Sequence, residues 1–326
     1  MMISLVIKSL YMIMKISPNI LRRILALHLA ILSLAYVSSA AAEQAETRHL
    51  FLMKSAQATP IPSAEEALPP GVQPGYASLW GQSTSTQEVP YHRGPVLQSS
   101  RTYAIYWGDQ TAFPTDLSAG MDDFFTGFGA STYANILDQY LPTPAISQFY
   151  GSDVVDTSTV PTRALSRGKV AREICNYIKS GDLPLDPIDK KNNDGGVYFL
   201  FTSTFPTNRV NYCAWHSHAS CEGKSIAIAY IPNVSSTTLC DPGDMYQTST
   251  YTYGTRLYGT VVAHELAESI TDPRLNAWHD HHGEEVGDKC AWVFASPVML
   301  TTNVDWQLQE EWSDLGNACM QEQPTP

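Results

Sequence analysis

The hydrophobic pattern along the chain alternates between short, densely apolar runs and longer stretches with helical spacing. Arg101 to Trp107 (RTYAIYW) is β-branched and aromatic, which predicts a buried strand. Leu117 to Phe128 and Ser131 to Tyr140 predict two short helices. Lys169 to Lys179 (KVAREICNYIK) places apolar residues at helical intervals, and Gly181 supplies the stop. Gly195-Gly196 opens a strand over Val197–Thr202, and Ser225–Ile231 (SIAIAYI) predicts another. Tyr258 to Ile270 predicts a helix that must end before Pro273, because the residue preceding a proline avoids helical angles. Val304 to Trp312 alternates as a late strand. Strands and helices interleave through the first half and the best helix comes late. The expected class is α/β (mixed α+β), one domain over residues 91–326 with a mixed sheet around one core.

Residues 1–42 change that picture at one end. They hold Lys8, Lys15, Arg22 and Arg23 and no acidic residue, then an apolar run from Ile24 to Val37 and the small residues Ser38 to Ala42. That order matches a signal peptide, with an apolar core shorter than the ~20 residues of a membrane span. Residues 43–90 are rich in Ala, Ser, Thr, Gln, Pro and Gly and are expected to be a linker or pro-segment. The mature chain is thus expected outside the cell, free, bound to a cell wall or in a periplasm, without a stable membrane span.

Composition removes one class of partner. The chain has 20 Lys and Arg against 32 Asp and Glu, a net charge of −12, so the clustered bases that neutralise nucleic-acid phosphates are missing. All six cysteines lie beyond the leader, and an even count on an exported chain predicts disulfides. Close spacing pairs Cys213 with Cys221 and Cys290 with Cys319, leaving Cys175 for Cys240. No C-x-x-C pair marks a thiolate metal cluster. Asn233-Val234-Ser235 is a glycosylation sequon, meaningful in a eukaryotic host.

The chemistry concentrates in Val261 to Cys290 (VVAHELAESITDPRLNAWHDHHGEEVGDKC). On a helix His264 and Glu268 stand at i and i+4, on one face a turn apart, with Glu265 between. In the H-E-x-x-H helix of zinc peptidases those positions bind the metal, and the residue after the first histidine is the general base. Here Glu268 replaces the second histidine, and a carboxylate binds zinc at a similar bond length. Glu285 and Asp288 are the candidate third ligands, with Glu284 a competitor; Asp272 is the candidate partner that orients His264. A shell of one histidine and several carboxylates weakens the Lewis acid and brings Ca²⁺ into contention beside Zn²⁺. The histidines of the WHDHHG loop (His279, His281, His282) read as exposed, and His216 and His218 as parts of a small disulfide loop. The competing reading of HELAE is a plain amphipathic helix whose buried stripe is Val262, Leu266 and Ile270.

Taken together, YHRGPVLQSSRTYAIYWG (Tyr91–Gly108), YCAWHSH (Tyr212–His218), HELAESITDPRLNAW (His264–Trp278) and EEVGDKC (Glu284–Cys290) resemble the Exordium, or phosphate-induced protein, family. LQEEWSDLGNAC (Leu308–Cys319) is similar to the C-terminal piece of its microbial members. The resemblance implies a secreted, cell-wall-associated protein, and its HELAE helix implies a zincin-like domain carried by a late helix. The WHDHHG loop departs from the family pattern. Two functions follow as expectations. One is a peptidase-like metallohydrolase with Glu265 as base, acting on an extracellular peptide. The other is a non-catalytic protein that binds a cell-wall polymer or a receptor.

Overall fold

The structure is a computed structural model; residues 48–53, 88–208, 210–243, 250–301 and 304–323 are described. The leader and residues 54–87 lie outside them. At the centre is a six-stranded mixed sheet in the order β1-β5-β6-β4-β2-β3. The strands are β1 (His49–Leu52), β2 (Ser99–Trp107), β3 (Ile146–Asp156), β4 (Asp194–Thr202), β5 (Tyr212–Cys221) and β6 (Lys224–Ile231). β3, β2, β4 and β6 run parallel; β5 is antiparallel to β6, and β1 is antiparallel to β5. The parallel strands β2, β4 and β6 are covered on both faces, which is why they read as continuous apolar runs rather than alternating ones.

Helix α1 (Leu117–Phe128) and helix α3 (Tyr253–Thr271) pack on one face of the sheet, helix α2 (Arg167–Ser180) on the other. Ser166 caps α2 by accepting from the Lys169 amide, and Gly181 closes it at φ +87°, a left-handed angle that costs glycine little. Thr252 caps α3, and the Asp116 carboxylate holds Thr252 and Thr255, which ties the starts of α1 and α3 together. From Thr255 to Thr271 every residue of α3 is buried, so its charged groups face protein on all sides. No helix among the described residues is long and apolar enough to cross a membrane.

The mixed α/β class and its mixed sheet are as expected; several elements are not. The stretch Asn211–Cys221, expected as a loop, is strand β5 from Tyr212 onward. Cys213 and Cys221 therefore sit near opposite ends of one extended strand, roughly 27 Å apart at ~3.4 Å per residue, and cannot pair. The bridges are Cys175–Cys221, Cys213–Cys240 and Cys290–Cys319, so only the last expected pairing stands. Residues 49–52 fall inside the expected linker yet form the edge strand β1, because His49 and Phe51 find buried partners beneath it. The expected helix at 131–140 is a run of 3₁₀ turns over Ala134–Tyr140. β3 went unread, its apolar residues being interrupted by Gly151 and by polar neighbours. The late strand divides into β8 (Val304–Trp306), which pairs with β7 (Val298–Thr301), and β9 (Glu311–Ser313), which pairs with β10 (Ala318–Met320). The intervening Gln307–Gln309 are buried and turn toward α3. Asn233 of the sequon is buried, and its amide donates to the carbonyls of Ala112 and Ser203, so it is not presented for a glycan.

Candidate metal centre

α3 carries His264 and Glu268 into the interior against β5 and β1, and the loop after it brings in Glu285 and Asp288. The strands add two imidazoles that face each other across a register pair, His49 on β1 and His216 on β5. The donor atoms of His49, His216, Glu268 and Glu285 all lie within 4.8 Å of one another, a cluster that could hold a metal ion. A second group, His264, Glu268 and Asp288, shares Glu268 with it. The side chains of His216 and Glu268 are fully buried and that of Glu285 nearly so, while His49 and Asp288 keep 19% and 15% exposure at the mouth. A cleft of about 310 Å³ opens there between β1 and the Gly283–Glu284 turn.

The distances include one close ion pair, His49 Nδ1 to Asp288 Oδ2 at 2.9 Å, and several longer approaches. His216 Nε2 is 3.2 Å from Glu268 Oε2 and 3.4 Å from Glu285 Oε2; His49 Nδ1 is 3.4 Å from Glu268 Oε2. Charge-assisted hydrogen bonds of this type close to ~2.7–2.9 Å. Metal bonds of ~2.0–2.2 Å set tetrahedral ligand atoms ~3.3–3.6 Å apart, close to these three longer distances, and the remaining pairs lie within 4.8 Å. Both ring nitrogens of His216, Oε2 of Glu268 and both oxygens of Glu285 have no hydrogen-bond partner, while Nδ1 of His49 lies 2.9 Å from Asp288 Oδ2. Orphaned buried donors and acceptors are costly, and a cation shared between them removes the cost. His49 Nε2 donates to the Gly283 carbonyl at 2.5 Å, which orients Nδ1 toward the carboxylates of Asp288 and Glu268.

His264 plays a different part from the one its motif predicts. Gln309 donates through Nε2 to the Gly287 carbonyl, and the same nitrogen lies 3.0 Å from His264 Nδ1. Turning that amide over would set its oxygen against the Gly287 carbonyl, so the hydrogen-bond network assigns Nδ1 as acceptor and places the ring proton on Nε2. Nε2 faces Glu268 Oε1 at 3.2 Å, and the Asp288 backbone N–H donates to that same oxygen at 3.1 Å. One oxygen of Glu268 thus accepts from the Asp288 amide with His264 Nε2 3.2 Å away, and the other faces His216 and His49. Gly287 makes the packing feasible: a Cβ there would stand 2.7 Å from His264 Nδ1 and 3.0 Å from Glu268 Oε1.

The electrostatics follow from so many ionisable groups in one buried place. Burial pushes Glu285 up to about 8 against the opposing pull of His49 and His216. Burial likewise lifts Glu265 to about 8, with the imidazoles of His264 and His216 pulling the other way. For Glu268 burial is outweighed by His264 and His49, and its carboxyl falls well below the usual range. Burial would lower His216, but Glu285 and Glu268 raise it to about 10. Neither oxygen of Glu265 has a hydrogen-bond partner. The space beside His264 is filled: Phe51 stacks on its ring at 4.1 Å, and Trp292 stacks on Phe51 at 4.6 Å.

Of the expected site residues, His264, Glu268, Glu285 and Asp288 do come together, with Glu265 buried on the same helix. Asp272 does not reach His264; its carboxylate accepts from the Asn276 amide and caps the turn after α3, and Gln309 takes the place expected of it. Glu284 lines the outer cleft. His279 stacks on His92, the His281 and His282 rings lie tilted against each other, and none of the loop histidines joins a metal-capable cluster among the described residues. His216, expected in a disulfide loop, is the most buried imidazole beside His264. His49 was missed altogether. The inward alternation of WHSH was the available signal for His216; for His49 the six residues RHLFLM, mostly apolar within a polar stretch, were the signal.

No protein-family model matches the chain. It is similar to Protein EXORDIUM-like 5 of Arabidopsis thaliana, 24% identical over 259 residues that cover 66% of this chain and 67% of the relative. That distant similarity supports the resemblance read from the four motif segments.

Proposed function

We propose that this chain is a secreted zinc protein with a peptidase-like hydrolytic centre. The observation that carries the reading is the convergence of four ligand atoms, from His49, His216, Glu268 and Glu285, within 4.8 Å of one another in a buried place. Two imidazoles with two carboxylates favour zinc over calcium, which takes six to eight oxygens. Two carboxylates balance the ion, so the centre is near neutral and a modest Lewis acid. Zinc there would supply polarisation of a carbonyl and of water. Glu265 would take a proton from the water that adds to the carbonyl carbon, then pass it to the amine nitrogen as the carbon–nitrogen bond breaks. His264 and Gln309 position Glu268.

The test is turnover of a quenched peptide by the purified full chain, alongside zinc content. Glu265→Gln is expected to keep about one zinc per chain, as wild type does, and to lose the slow turnover. Equal turnover in wild type and Glu265→Gln contradicts the mechanism. A second reading rests on the filled space beside His264 and on four protein ligands, the mark of closed structural sites. On it the chain is a non-catalytic binding protein of the cell exterior or cell wall, and chelation lowers its melting temperature without any substrate being cut.

A further inference from the structure

The closed shell has one unusual member. Three of its four ligands come from elements embedded in the domain: His216 from the β5 strand, Glu268 from α3 and Glu285 from the loop after α3. The fourth, His49, comes from a four-residue strand at the very edge of the sheet, and 34 residues of Ala/Ser/Pro/Gln-rich sequence separate it from the next described segment. β1 pairs antiparallel with the outer edge of β5, His49 opposite His216, Leu50 opposite Trp215 and Phe51 opposite Ala214. Its side chains alternate as an added strand requires. His49 and Phe51 point down into the centre, Leu50 packs on the far face, and Leu52 stays half exposed.

We propose that the outer edge of β5 is the docking cleft for an extended polypeptide substrate, and that residues 48–53 occupy it as an intramolecular stand-in. This rests on the metal reading above and adds its substrate class and its regulation. Main-chain pairing to an exposed strand edge gives affinity for any extended peptide, and pockets for alternate side chains give selectivity. The Phe51 position, walled by His264 and Trp292, is a pocket for an aromatic or large aliphatic side chain. The position of His49 is where the reacting carbonyl of a substrate would lie. With β1 in place all four ligand positions are filled; with β1 displaced, three protein ligands and one open position remain, the arrangement that catalytic zinc sites share. The stand-in is short but well seated: besides four residues of pairing it is held by the His49–Asp288 contact at 2.9 Å, the His49 bond to the Gly283 carbonyl, the Met53 amide donated to the Asn211 carbonyl, the Phe51 stack between His264 and Trp292, and the Trp292 indole N–H donated to the Leu52 carbonyl, so its displacement needs a competing strand.

The experiment compares full-length wild type, His49→Ala and His49→Ala/Phe51→Ala. Each is measured for zinc content, for cleavage of quenched peptides with an aromatic residue beside the scissile bond, and for binding of a fluorescent peptide with the sequence of residues 47–53. The double variant is expected to keep its zinc, to cleave at least tenfold faster than wild type, and to bind the peptide at least tenfold more tightly; the peptide should inhibit its turnover. His49→Ala alone should show part of each gain, which guards against misfolding of the double variant. Zinc in all three proteins with equal cleavage and equal peptide binding overturns the stand-in role while leaving the metal reading intact. Absence of zinc from wild type overturns the metal reading and this one with it.

Discussion

The two faces of the central sheet solve the problem of burial in opposite ways. The face under α2 is filled by Tyr198, Leu200, Trp215, Ile228 and Tyr230, and a disulfide from α2 to the end of β5 fixes the layer. The face under α3 has an aromatic cluster at one end, with Phe124 and Phe125 of α1 against Trp306 and Phe199. At its other end it buries Glu265, Glu268, His216, His264 and Glu285. Apolar burial stabilises the first face by itself, since each large side chain removed from water contributes ~1.5–3 kcal/mol. The ionisable end cannot be stabilised that way. Its imidazoles and carboxylates face one another as ion pairs, and its donor atoms could hold a metal ion. One sheet thus carries an apolar half and an ionisable half that could hold a metal ion.

That comparison can be broken, starting with the largest effect. Stripping metal with a chelator, or replacing Glu268 by Ala, is expected to lower the melting temperature by roughly 10 °C or more, read by calorimetry, because structural zinc binding is coupled to folding. On the other face Leu200→Ala should cost ~2–5 kcal/mol in denaturant unfolding, with zinc stoichiometry unchanged. If Leu200→Ala also releases zinc, the two halves are not independent. Gln309→Ala should weaken zinc binding ~10–100-fold in competition titrations, as loss of a supporting partner does, with little change in the fold.

The smallest effect concerns pH. Burial, with Asp153 beside it, raises Asp122 on α1 to about 6, from an ordinary 3.8. The folded state therefore keeps a proton that the unfolded chain gives up, so this contribution is full below pH ~4 and declines as pH rises toward 6. Asp122→Asn should flatten that slope and raise the melting temperature at pH 7 by roughly 2 °C. An unchanged slope between pH 4 and 6 would remove Asp122 from the account.

The helices and central strands were legible because their apolar periodicity agrees with their caps and stops: Ser166 and Gly181 bound α2, and Pro273 follows α3 closely. The motif helix announced His264, Glu265 and Glu268, and the acidic run after it announced Glu285 and Asp288. β5 was hidden by its composition, since NYCAWHSHASC spends polar residues on a buried strand whose His216 faces a charged cluster. β1 was hidden by context, because a strand of four residues gains its stability from partners distant in sequence. Cysteine spacing misled for a related reason: two cysteines close in sequence were held apart by the strand between them. The role of His264 turned on Gln309, which no local pattern links to it.

The most direct measurement is zinc content of the purified full chain, with His216→Ala and His264→Ala compared at equal, low free zinc. About one zinc per wild-type chain is expected, as a single four-ligand site requires. It should be lost in His216→Ala and retained, more weakly bound, in His264→Ala. Zinc that stays in His216→Ala and leaves in His264→Ala would place the ion on the motif helix and contradict the centre described.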